Sequence, residues 1–130
     1  MPKTDKTVPI IAVTIGDPAG IGPEVVLKAL SDPAVAALAQ WAIVGDTSAL
    51  ERVAKICGLA LAGLQGTTIR DLEALRNASG LEFGRLDAAC GAAAAAYVRH
   101  ATQMCLRGET DAIVTAPLNK AAVTLTGIRF

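Results

Sequence analysis

Two hydrophobic periods alternate along the chain. Ile10-Ile11-Ala12-Val13-Thr14-Ile15 is an apolar, β-branched run bounded by Pro9 and Gly16, the pattern of a buried strand. Past Gly16-Asp17-Pro18-Ala19-Gly20-Ile21-Gly22 the spacing becomes helical, with Val25, Val26, Ala29 and Leu30 on one stripe. Pro23 suits the first helical position, where a missing N–H costs nothing, and Glu24 complements the positive end of the helix dipole. Pro33 disfavours helical geometry at Asp32 and so stops that helix, with room for another short turn from Ala34 to Gln40. Trp41 to Asp46 reads as a second strand. Asp46 or Thr47 then caps a helix whose stripe is Leu50, Val53, Ala54 and Cys57, with Gly58 as its stop.

The middle of the chain is less regular. Thr67-Thr68-Ile69 predicts a weak strand, Leu72 and Leu75 a short amphipathic piece, and Asn77 to Gly80 a loop. From Leu86 to Leu106 the pattern predicts one long helix, ended by Arg107 and Gly108. Ala92 to Ala96 make it small all round, so its neighbours must pack closely. Asp111-Ala112-Ile113-Val114-Thr115 is the final strand, leading into Ala116-Pro117-Leu118-Asn119-Lys120. The expected class is α/β, a mainly parallel sheet flanked by helices. Met1 to Thr7, polar and lysine-containing, predict a frayed end.

Composition narrows the classes. With 130 residues, 52% of them hydrophobic, and formal charges that cancel, the chain has the material for one domain and no electrostatic case for nucleic acid. Aromatics at 3% favour helices packed tightly on a sheet over a sandwich filled with large side chains. Cys57, Cys90 and Cys105 form no C-x-x-C pair and read as reduced, buried thiols of a cytosolic protein. Lys3 and Lys6 precede an apolar run, but that run ends in Gly16-Asp17-Pro18, not in a small-residue cleavage site. The alanine block from Ala88 to Val98 is too short to cross a bilayer, so no membrane partner is expected.

Candidate chemistry sits at strand ends. The three glycines between Gly16 and Gly22 let backbone approach a ligand, and N–H groups at the helix start are open to an anion. The spacing is neither G-x-G-x-x-G nor a P-loop, and Asp17 and Glu24 would repel a phosphate. A tight connection and a ligand loop both remain open. Thr115, Asn119 and Lys120 lie where an open parallel sheet binds ligands, although Asn119-Lys120 is also compatible with a solvated helix start. His100, beside Arg99, has no partner at metal spacing and reads as structural or superficial.

Gly16-Asp17-Pro18-Ala19-Gly20-Ile21-Gly22-Pro23-Glu24 resembles the opening loop of the 4-hydroxythreonine-4-phosphate dehydrogenase family (PdxA-like). Asp111 to Lys120 resembles that family's D-A-[IV]-V-T-A-P-[IL]-N-K block. Val44-Gly45-Asp46 and the Gly91, Ala101, Gly108 pattern agree between them. The resemblance implies an isocitrate/isopropylmalate dehydrogenase-like fold, here partial: residues 1–130 would be the amino-terminal portion, with the family's G-H-T-E motif and metal-binding histidines beyond Phe130. It further implies NAD-dependent oxidation of a secondary alcohol, metal-assisted decarboxylation (Zn, Mg or Co), a small phosphorylated substrate, pyridoxal phosphate synthesis, and a homodimer in the complete protein. By position, Asp17, Pro18, Ala19, Gly20, Thr115, Asn119 and Lys120 would contact substrate or dinucleotide. No catalytic and no metal residue is expected within this chain, which alone would be inactive. A dihydrodiol dehydrogenase of the same family, a non-catalytic module binding a phosphorylated ligand or an oligomer partner, and an acyltransferase-like protein of related architecture are the alternatives.

Overall fold

In a computed structural model, which describes residues 8–76 and 78–129, the two hydrophobic periods become four parallel strands and the helices between them. The frayed end expected for Met1 to Thr7 and the Asn77 position of the expected loop lie outside the described residues. Strands β1 (Ile10–Thr14), β2 (Gln40–Gly45), β3 (Thr67–Asp71) and β4 (Ala112–Thr115) form one sheet in the order β3-β2-β1-β4. Every pairing is parallel, with Thr14 opposite Val44 on one side and Thr115 on the other. The weak Thr67–Ile69 strand is therefore real and runs on to Asp71, because it pairs along β2.

Helix α1 (Gly22–Ser31) carries its proline in the first turn as expected, and a short α2 (Pro33–Ala36) follows, capped by the Asp32 carboxylate on the Ala34 amide at 2.9 Å. Helix α3 (Thr47–Cys57) ends at Gly58 in the left-handed conformation. The long helix, α4 (Ala88–Leu106), starts two residues later than its sequence pattern suggests. Asp87 sets that start by accepting from the amides of Ala89 at 2.7 Å and Cys90 at 3.3 Å. Helix α5 (Lys120–Thr124) completes the described elements.

The chain moves from β1 through β2 to β3 in one direction, then returns past β1 to β4. With right-handed crossovers, that reversal puts α1 and α3 on one face and α4 on the other. Accordingly α1 packs on α3, while α4 lies against β1, β2 and β4. Ile15, Ile43, Val44, Leu27 and Leu50 form the core with Tyr97, Ala101 and Met104 from α4. Alanines let α4 lie close. A Cβ at Gly91 would overlap the backbone of Ala122, so α4 and α5 touch at main-chain level.

Asp46 differs from expectation. It occupies the cap position of α3, but its side chain makes no capping bond. Instead Oδ1 accepts from Ala74 N at 2.9 Å and Oδ2 from Leu75 N at 2.7 Å, fastening the segment after β3. The carboxylate is almost fully buried, and two amide donors satisfy it better than one exposed cap would.

Candidate functional site

A reversal of strand order leaves a crevice at the carboxyl ends of the two strands that diverge, here β1 and β4. The loops leaving those strands are the two that the sequence singled out, and they touch. Gly16 has φ +71°, and a Cβ there would overlap the carbonyl oxygen of Pro117. The Asp17 amide donates to that same carbonyl at 3.2 Å. Within the first loop, Gly20 N donates to Asp17 O at 2.9 Å and Ala19 N to Asp17 Oδ1 at 2.8 Å.

The amides of Asp17, Ala19 and Gly20 are engaged inside the protein, and Pro18 has none, so this stretch offers no row of open N–H groups to an anion. What the loop offers the crevice is the Asp17 carboxyl group and the bare backbone of Gly20. Burial pushes the Asp17 carboxyl above its ordinary range. The Ala19 amide opposes that rise and the nearby Asp87 charge adds to it.

A cavity of about 440 Å³ opens between the loops, lined by Asp17, Gly20, Arg85, Pro117, Asn119 and Lys120 among others. Of the residues expected at the site, Asp17, Ala19, Gly20, Asn119 and Lys120 thus come together. Pro18 is fully buried beneath them. Thr115 stays in the ladder opposite Thr14 and does not line the cavity. Asn119 spends its side-chain oxygen on the Ala122 amide, 3.2 Å away, as the cap of α5. Lys120 follows directly at the rim.

A third wall was not legible in the sequence. The segment from Ala78 to Asp87 folds over the glycine loop, with Gly84 N donating to Ala19 O at 2.8 Å and Leu81 packed against Ala19 and Cys90. Arg52 of α3 holds it from the other side, donating to Ala78 O at 2.9 Å and standing 4.5 Å over the Phe83 ring. This wall brings Arg85 to the cavity. On its far side lies an apolar hollow of about 290 Å³ between Val53, Ile56, Cys57 and Phe83. The only sequence signal was a cation just before the α4 cap. Beneath the wall, burial and the charges of Asp87 and Asp17 raise the Cys90 thiol to about 11.

Among the described residues no group of three or more His, Cys, Asp or Glu side chains is placed to hold a metal ion. The described residues therefore do not by themselves fit a metal centre.

The family described as "Pyridoxal phosphate biosynthetic protein PdxA" matches residues 37–130. The chain belongs to the PdxA family. A 4-hydroxythreonine-4-phosphate dehydrogenase of Synechococcus sp. (strain JA-3-3Ab) is 46% identical over 86% of this chain and 33% of its own length. A D-threonate 4-phosphate dehydrogenase of Cupriavidus necator is 36% identical over 94% of this chain and 40% of its own. The crystal structure of a 4-hydroxythreonine-4-phosphate dehydrogenase from Burkholderia phymatum superimposes with a TM-score of 0.86 at 36% identity, covering 95% of this chain and 40% of that one. The chain thus spans between a third and two-fifths of the length of these PdxA relatives. The PdxA match contains β4 and the loop after it, one side of the cavity.

Proposed function

We propose that this chain is the amino-terminal portion of an NAD-dependent, divalent-metal-dependent dehydrogenase that oxidises and decarboxylates 4-phosphooxy-threonine or a related phosphorylated hydroxy acid, in pyridoxal phosphate synthesis. Its fold is then one part of an isocitrate/isopropylmalate dehydrogenase-like architecture, and the metal ligands lie outside it. The observation that carries the reading is the joining of the Gly16 and Pro117 loops at the strand reversal of a PdxA-family sheet, which makes a polar cavity where such sheets bind ligands.

In this reading the chain supplies binding and shape. Gly20 lets substrate or dinucleotide lie against backbone, Lys120 meets an anionic group at the rim, and Asn119 fixes the start of α5 that carries the lysine. Asp17 closes the floor and excludes water from it. A homodimer, a cytoplasmic setting and a small phosphorylated substrate belong to the same proposal.

D-threonate 4-phosphate, for which the Cupriavidus protein at 36% identity is named, is a second candidate within this class. Two experiments test the proposal. The reading frame sequenced past Phe130 is expected to continue, with a histidine shortly after; a natural stop codon there removes the complete-enzyme reading. The continued protein, given a divalent metal, NAD and either phosphorylated acid, is expected to form NADH, whereas the 130-residue chain alone is not. Turnover by the short chain would contradict the proposed division of the site.

A further inference from the structure

We propose that Arg85 is a second cationic binding residue of the cavity, holding a phosphoryl oxyanion jointly with Lys120; this rests on the reading of that cavity as a ligand site. Three observations converge. The amides of Asp17, Ala19 and Gly20 are engaged within the protein, so the floor of the glycine loop gives an anion no backbone donor from those three residues and side-chain cations gain weight. Arg85 and Lys120 are the cations that line the 440 Å³ cavity, reaching it from separate segments, the Ala78–Asp87 wall and the start of α5. And the backbone that carries Arg85 is anchored: Gly84 N bonds Ala19 O at 2.8 Å on one side, and Asp87 caps α4 on the other.

The guanidinium itself remains available to a ligand. It pairs with Glu82 at 3.2 Å, but both side chains are about two-thirds exposed, and an ion pair so solvated contributes little and exchanges readily. A planar fork of donors fits phosphate oxygens, and a lysine opposite supplies a point charge that needs no fixed angle. The buried Asp17 carboxyl on the floor limits how deep the anion sits, since close approach would set like charges together. The anion is thereby kept at the rim, between the two cations. The phosphoryl group has two possible sources with the same chemistry, the phosphorylated substrate and the pyrophosphate of the dinucleotide.

The test is a titration of the isotope-labelled 130-residue chain with inorganic phosphate, followed by amide shifts. Shifts are expected at Gly84-Arg85 and at Asn119-Lys120 together. Arg85→Gln is expected to weaken binding about tenfold, the loss of one charge-assisted contact, with Arg85→Lys recovering part of it. Glu82→Gln, which removes the competing carboxylate, is expected to tighten it. Unchanged affinity in Arg85→Gln, or shifts confined to Lys120, would overturn the inference. Displacement of phosphate by O-phosphothreonine assigns the site to substrate, and displacement by NAD assigns it to cofactor; displacement by neither counts against it. Arg85-dependent binding without NADH formation by the continued protein would sink the dehydrogenase reading and leave this one standing.

Discussion

The amide of Asp17 donates to the carbonyl of Pro117 at 3.2 Å, joining two loops whose residues are 100 positions apart in the chain. That bond is possible because Gly16 presents no side chain to the same carbonyl. Gly16→Ala combines a left-handed backbone with a steric overlap against main chain, and is expected to cost about 3 kcal/mol or more. Chemical denaturation measures it. A loss below about 1 kcal/mol would mean that the two loops separate freely and do not form a fixed crevice.

Asp17 gives the fold a pH dependence of definite sign. Its folded-state carboxyl titrates above the ordinary value because burial disfavours the charge. Between the unfolded and the folded value the folded protein holds a proton that the unfolded chain has released, so this contribution is complete below the unfolded value and lost as pH rises through the folded one. Asp17→Asn keeps an acceptor for the Ala19 amide and removes the buried charge. It is expected to be more stable than the wild type at neutral pH, with the difference vanishing in acid below the unfolded value. An equal difference at both pH values would refute the assignment.

Asp46→Ala strips two partly buried amides, those of Ala74 and Leu75, of their acceptor. Water can reach partly buried amides, so each falls at the low end of the cost of an unsatisfied group, about 1 kcal/mol, and the expected destabilisation is about 2 kcal/mol. Asp46→Asn retains one acceptor oxygen and should lie between. Hydrogen exchange at Ala74 and Leu75 reports the same loss locally, and slow exchange there in Asp46→Ala would contradict the role given to the carboxylate.

The thiols should divide two against one. Of three thiols expected to be buried only Cys90 is; Cys57 and Cys105 are partly accessible, whereas Cys90, its thiol raised to about 11, offers neither access nor thiolate at neutral pH. An aromatic disulfide reagent is expected to titrate two thiols in the native protein and the third on unfolding. Prompt labelling of all three would show that the Ala78–Asp87 wall opens readily over Cys90.

How much of this was legible beforehand follows physical lines. The strand runs at Ile10 and Ala112 and the stripe of Leu50, Val53 and Ala54 announce themselves because their burial is periodic and local. The glycine loop and the Pro117 loop were found for the same reason, being what lies between such runs. The segment from Leu72 to Asp87 was not, because it is held from a distance: Asp46 grips Ala74 and Leu75, Arg52 grips Ala78, and Ala19 grips Gly84. None of those pairings leaves a periodic trace. Asp46 shows the limit most clearly, since a residue in a capping position gave its carboxylate to a partner 28 residues away. Side-chain direction was equally hidden: Thr115 marks the right strand end yet does not line the cavity.

The Gly91 contact gives α4 a second meaning. Because the main chains of α4 and α5 meet there, with no side chain between them, the seat of α5 relative to the sheet is fixed by the thickness of a helix that does not itself line the cavity. Lys120 rides on α5. The alanines and glycine that look like mere filler in the composition thus act as a gauge: a single added methyl at position 91 would lift the lysine away from the loop opposite, resizing the cavity mouth without altering any residue in it.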